Sequence, residues 1–368
     1  MRSVRAQLLH RPAGRTVGEV VRHLAAVQAQ DLTAAALAFR ARSTGLTAAD
    51  VAAAQEPREI VRTWGPRGTL HLVHRDDLPW LHAVTTGGAT KGTADTKGAA
   101  GTAAGGTAVA GAAGASGAPG MVGAAGVAGG LAGTMRRLRE EGVTGDDLLP
   151  LITGVLEGEG PLTKAELEER LKGRARGQGV VHLVALAARH GLAVLGPPRA
   201  GKPTYVHAAD WLGGPVVAEP DRERALKELA VRYRRAHHPA APEDLAAWSG
   251  LPLGEARAAW RLAAEPPPPE PDEPGTRLLP AFDEYLLGWR GREGVVAAAH
   301  AAEVHPGGGI IRPVVLVDGV VVGVWTRRGE RAEVRMFGGQ EPPQGLDAEV
   351  ADVRRFLAAR PVRASRGA

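Results

Sequence analysis

The sequence predicts a mainly α chain with small β content: tandem winged-helix (helix-turn-helix) modules followed by a C-terminal α/β module. Residues Arg62 to Leu72 place an Arg67-Gly68 turn ahead of a short apolar strand and behind helical Ala/Leu/Val segments, the order of a winged helix. Three further helical stretches between 144 and 190 precede two short strands that bracket Gly196 to Pro203, a hairpin with a basic tip. Two helical stretches separated by Gly250 then follow the helix-turn-helix order.

In the first module, residues 1–85, Val17, Val20, Val21, Leu24 and Val27 recur at helical spacing and predict one helix over 17–27. Asp31 can cap the next helix, Leu32 to Arg42, and Thr47 a further one from Ala48. Thr69, His71 and Val73 alternate with Leu70 and Leu72 in a strand. Residues 86–134 are Gly, Ala and Thr with few other types, and Gly occupies every third position from Gly111 to Gly129. Collagen has that period but needs imino acids between its glycines, and Pro119 alone supplies one. With few large side chains to offset ordering entropy, a disordered or weakly helical insertion is expected.

In the second module, residues 135–215, Leu148, Leu149, Ile152, Val155 and Leu156 form a helical stripe. Thr163 and Glu166 form a capping box, and Gly191 stops a helix over 181–190. The strands Leu192 to Leu195 and Thr204 to His207 complete it. The third, residues 216–265, has helices over 222–236, 242–248 and 254–263, with Pro242 in a first turn. Pro266 to Pro269 form a stiff linker into the last module, residues 266–368. There, Ile310 to Val317 and Val320 to Trp325 flank a tight Asp318-Gly319 turn, and residues 347–359 form a closing amphipathic helix.

A chain of 368 residues accommodates two to four such modules. Its formal charge of +5 favours an anionic partner, although a solvated surface accounts for that charge equally well. The absence of cysteine excludes disulfides, thiolate nucleophiles and cysteine-ligated zinc. The N-terminus lacks an apolar signal core, and outside the Gly/Ala tract no long uncharged apolar run occurs, so a cytoplasmic location without membrane contact is expected.

Gly196-x-x-x-x-Gly201-Lys202 imitates a phosphate-binding loop. Pro203 occupies the position of the metal-binding hydroxyl, and Thr204-Tyr205-Val206 continue as a strand, so a wing with Arg199 and Lys202 at its tip is the better reading, for DNA or as plain surface. His237-His238 lacks metal-ligand spacing. Asp283 and Glu284 are neighbours that cannot share a face. Asp283 is read either as a buried structural carboxylate or as a pocket residue. Gln28 and Gln30 reach one pocket only if a helix ends at them, and Asp31 supplies that break; otherwise they solvate a turn.

Four blocks carry a resemblance to a family: Ala26 to Asp31, Trp64 to Val73, Ala240 to Leu251, and Leu279 to Gly288. In them the chain resembles the bacterial winged-helix DNA glycosylases related to azinomycin resistance and to the unhooking of interstrand crosslinks. The tract 86–134 departs from that family, where amphipathic helices are expected. The resemblance implies a monofunctional DNA glycosylase that hydrolyses the N-glycosidic bond of an alkylated or crosslinked purine in double-stranded DNA, with no metal or organic cofactor. It assigns catalysis to Gln28 and Gln30, with Thr69, His71 and Asp283 as pocket candidates. Arg67, Arg199 and Lys202 are the expected DNA contacts. A non-catalytic winged-helix regulator is the alternative, and a protein–protein module a third reading.

Overall fold

The computed structural model describes residues 2–56, 58–86, 131–272, 275–329 and 331–358. Helix α1 (Val17–Leu24) starts on a Thr16–Glu19 capping box and buries Val17, Val20, Val21 and Leu24. It stops short of the expected end at Val27, because Ala25 turns out at φ 69°. Val27–Gln28 then form strand β1, where pairing with a neighbouring strand replaces a further helical turn while Val27 remains buried. Asp31 caps α2 (Leu32–Arg40) by accepting from the Thr33 and Ala34 amides, and Thr47 caps α3 (Ala48–Ala53). Strands β2 (Ile60–Trp64) and β3 (Leu70–His74) form a hairpin whose turn puts Arg67 and Gly68 at φ 56° and 73°. Only β3 was expected; β2 lies just upstream of the Arg-Gly turn.

Helix α4 (Leu78–Thr86) ends this part of the chain. The insertion expected over 86–134 lies outside the described residues at 87–130, and its last four positions instead open α5 (Leu131–Glu140). After α6 (Leu148–Leu156) come β4 (Leu162–Thr163), α7 (Lys164–Arg170) on its Thr163–Glu166 box, and α8 (Gln178–Arg189). Strands β5 (Ala193–Arg199) and β6 (Lys202–His207) meet at a tip formed by Ala200 and Gly201, followed by α9 (Ala208–Leu212). Helices α10 (Arg222–Ala236), α11 (Pro242–Ser249) and α12 (Leu253–Leu262) follow, with left-handed Gly250 closing α11.

The C-terminal part runs β7 (Thr276–Leu279), α13 (Glu284–Leu287), α14 (Ala301–Val304), β8 (Val314–Val317), β9 (Val320–Arg328), β10 (Arg331–Met336) and α15 (Leu346–Ala358). The β8–β9 turn is the two-residue Asp318-Gly319, both at positive φ as a tight hairpin requires.

Two antiparallel sheets organise these elements, one ordered β1-β3-β2-β5-β6-β4 and the other β10-β9-β8-β7. Arg62 pairs with Leu195, so strands from 1–85 and from 135–215 share the first sheet. One face of that sheet packs Val61 and Val73 against Tyr233, Leu245 and Trp248 of α10 and α11. Helix α15 buries Leu346, Val353 and Phe356 with Phe39 of α2 and with Leu278, Val315 and Trp325 of the second sheet. Buried Arg40 links the same elements through Glu349 and Asp352. No helix among the described residues is long and apolar enough to cross a membrane.

Candidate active site

β1 is the edge strand of the first sheet, and Gln28 stands directly opposite His71 on β3, which in turn stands opposite Thr63 on β2. Cross-strand partners project to the same face, so Gln28, His71 and Thr63 form one row. The apolar face of Val61 and Val73 becomes polar along this row. The Ala29 amide donates to the Leu70 carbonyl at 2.8 Å, which makes Gln28–His71 a pair without mutual backbone bonds and brings its side chains close.

Gln28 ends β1, and Gln30 lies two residues on, in the bend before α2. Gln28 Nε2 donates to Gln30 Oε1 at 2.7 Å. This leaves the Gln28 amide oxygen as an acceptor and the Gln30 amide nitrogen as a donor. Their joining therefore comes from an edge strand rather than from the helix end anticipated in the sequence. Gln28 is buried and Gln30 half-buried.

The backbone of the pair is pinned from both sides. Arg62 Nε donates to the Ala29 carbonyl at 2.9 Å and Nη2 to the Gln30 carbonyl at 3.4 Å. Burial lowers the Arg62 pKa to about 10, with Tyr205 and Asp31 opposing that shift. The Gln28 amide, on the open edge of β1, donates to Glu284 Oε1 at 3.1 Å, while Glu284 Oε2 accepts from Trp248 Nε1 at 3.0 Å. Burial raises the Glu284 pKa; its bonds from Trp248 and Gln28 and the charge of Arg67 act the other way.

His71 is fully buried. Its Nδ1 lies 2.9 Å from the Thr69 carbonyl, so in the neutral ring Nδ1 carries the hydrogen and Nε2 is an acceptor. Burial depresses its pKa to about 3, opposed by the Thr69 bond. Both His71 Nε2 and the neighbouring Thr63 Oγ1 are buried without a protein partner. Thr69 itself serves the turn, its hydroxyl donating to the Pro66 carbonyl at 3.2 Å.

The remaining sequence candidates divide. Arg67 sits in its left-handed turn against Gly250, where a Cβ on that glycine would come within 3.3 Å of the Arg67 Cα. Its charge is felt at Glu284, which binds the Gln28 amide, and at His71, the cross-strand partner of Gln28. Asp283, a candidate pocket residue, does not turn toward them. It caps α13 through the Tyr285 amide, and its two oxygens take Arg42 Nη1 and Nη2 at 2.7 Å each. Both side chains are entirely buried, and the bidentate pair neutralises the guanidinium there. Arg199 and Lys202 lie at the β5–β6 tip, and Arg199 is ion-paired with Glu166 at the start of α7.

Of the Asp283-Glu284 pair the sequence put forward Asp283 rather than Glu284, and it singled out none of Trp248, Arg62 and Thr63 for the site. Ile60, Val61, Thr63 and Trp64 do carry the β-branched and aromatic signal of a strand. Nothing local distinguishes Glu284 from Asp283; only the approach of β1 does. His237, whose pairing with His238 lacks metal-ligand spacing, is buried and stacked on Tyr233 with ring centroids 4.2 Å apart. No group of metal-ligating side chains occurs among the described residues.

A family model described as "DNA glycosylase AlkZ-like" matches residues 21–358. The chain is 28% identical over 380 residues to an interstrand DNA cross-link repair glycosylase of Streptomyces sahachiroi, covering 92% of this chain and 90% of the relative. Its structure is similar to that of the Streptomyces sahachiroi DNA glycosylase AlkZ, with a TM-score of 0.72 and 25% identity over 98% of this chain and 96% of that one.

Proposed function

Because the chain belongs to the AlkZ-like DNA glycosylases, we propose that it excises alkylated or crosslinked purines from double-stranded DNA, with Gln28 and Gln30 placing the attacking water. The observation that carries this reading is the 2.7 Å bond joining the two side chains on a backbone held by Arg62, Leu70 and Glu284.

A purine alkylated at N7 is cationic and already a good leaving group. The water oxygen bonds to C1′ as the C1′–N9 bond breaks, and the bonding pair enters the purine and cancels its positive charge. The water's second proton passes to solvent, leaving a neutral base and a hydroxylated sugar. The enzyme's task is therefore placement more than proton abstraction. The Gln28 amide oxygen accepts from the water, and the Gln30 amide hydrogens remain for a phosphate or a base edge. Neutral His71, with a pKa of about 3, is too weak a base to remove a proton near neutral pH.

The segments 135–215 and 216–265 act as winged-helix and helix-turn-helix modules that hold the duplex, with Arg67 beside the lesion and Lys202 at a wing tip. The parts 1–85, 135–215, 216–265 and 266–368 are the corresponding units. The protein works in the cytoplasm without a cofactor.

The test is incubation with a duplex containing N7-methylguanine, followed by alkaline cleavage of the abasic product. Gln28→Ala and Gln30→Ala should each slow excision about tenfold or more, since each tenfold is about 1.4 kcal/mol of barrier. Duplex affinity should hold, because phosphate contacts dominate it. A Gln28→Ala/Gln30→Ala protein with full excision would remove the pair from the chemistry.

A further inference from the structure

We infer that Glu284 is a positioning residue for base excision, fixing the glutamine-bearing edge strand and tying it to the α11 helix of the DNA-binding region through Trp248. The role presupposes that Gln28 and Gln30 place the water.

The argument starts from the edge. β1 is two residues long and has one neighbour in the sheet, so the outward Gln28 N–H has no ladder partner. Glu284 Oε1 supplies one at 3.1 Å. The other carboxylate oxygen takes the Trp248 indole N–H at 3.0 Å, and both Glu284 and Trp248 are 1% exposed. The pocket thus presents two N–H donors and needs a side chain that accepts twice and donates nothing. An ionised carboxylate does this; an amide of the same shape would turn an N–H against one donor.

Neighbours hold the carboxylate in place. Asp283, next in the chain, is locked by Arg42, and the turn carrying Arg67 lends a positive charge that favours ionisation against burial. Tyr233 of α10 packs against Trp248 in a tilted ring pair at 5.3 Å and feels the Glu284 charge. A small shift of β1 would move both amides, and a misplacement of about 1 Å can cost about a hundredfold in rate. The same carboxylate reports to α11, whose C-terminal Gly250 packs on the Arg67 turn. Displacement of α11 by DNA is therefore transmitted to the Gln28 backbone by one side chain.

The experiment measures single-turnover release of N7-methylguanine at saturating enzyme, with duplex Kd and melting temperature for each variant. Trp248→Phe removes the second donor and cuts the tie to α11, so its rate should fall, and it is the reference for the two variants that follow. In that background Glu284→Gln keeps an acceptor for Gln28, whereas Glu284→Met keeps the volume and loses the acceptor. The Gln variant should stay near the Trp248→Phe rate and the Met variant should fall about tenfold to a hundredfold at unchanged Kd.

A purely structural carboxylate would give the opposite order, since a buried apolar chain packs at least as well as a half-satisfied amide. Equal rates for the two would overturn the role. So would a Glu284→Met loss that is undiminished when added to Gln28→Ala, because the effect would not then pass through Gln28. Full excision by Gln28→Ala/Gln30→Ala would fail the glutamine reading itself, a result distinguishable from either.

Discussion

At the scale of single residues, the two adjacent carboxylates of α13 have separate tasks. Glu284 faces two N–H donors, and Asp283 faces a guanidinium. Arg42 also donates to the Ala38 carbonyl and to Gln7 Oε1, each at 3.0 Å, but only Asp283 neutralises it. Asp283→Asn should therefore destabilise the protein by about 3–5 kcal/mol, the cost of leaving a buried charge unpaired. The urea unfolding midpoint measures this. A change below about 1 kcal/mol would mean that the two neutral acceptors satisfy Arg42 unaided. The location of Asp283 was open in the sequence, because a Asp-Glu dipeptide does not reveal which member meets a cation.

Among the elements, the β5–β6 hairpin is the one whose DNA role is most directly testable. Its strands pair from Ala193↔His207 to Gly196↔Thr204 and meet again at Arg199↔Lys202 beyond an irregularity, so the tip is a defined structure. Thr204 is buried on β6 and its hydroxyl donates to the Pro197 carbonyl at 2.8 Å, which explains why the Gly-Lys sequence forms no nucleotide loop. Lys202→Ala should reduce the salt slope of duplex binding by about 0.9, one phosphate contact. Arg199→Ala should add less, because Glu166 already engages that guanidinium. An unchanged slope in the double variant would take the hairpin off the DNA.

For the whole molecule, acid stability follows from its buried histidines. Desolvation lowers His23 and His82 to about 4 and His71 and His237 to about 3. Their folded pKa values lie below the unfolded value near 6.5, so between about 3 and 6.5 the unfolded chain binds more protons. Stability contributed by the neutral rings is present above pH 6.5 and is lost as pH falls through that window, by up to about 1.4 kcal/mol per pH unit for each ring. Glu284, whose pKa is raised, acts in the opposite direction and offsets part of the loss. The melting temperature should be level from pH 7 to 8 and decline below about 6.5. His237→Phe, which keeps a ring on Tyr233, should flatten the decline. A melting curve unaffected by pH down to 4 would contradict the burial of these rings.

Local rules sufficed wherever the causes are local. The Thr16, Asp31, Thr47 and Thr163 caps, the Asp318-Gly319 turn, the left-handed Gly250 and helices α10 and α15 follow from side chains within a few residues of one another. Of these the Asp31, Thr47 and Thr163 caps, that turn, the turn at Gly250 and the α10 boundaries were legible directly from the sequence. The Gln28–Gln30 motif was also legible, through its resemblance to a family. Its geometry was not, since Val27 suits a helix or a strand equally and only β3 decides between them. Strand β2 pairing with β5, the row Gln28–His71–Thr63, and the union of Glu284 with Trp248 and Gln28 join residues far apart in the chain. Such contacts carry no short-range periodicity, so the tertiary structure alone determines them: buried N–H groups must find acceptors, and the ones available come from distant segments.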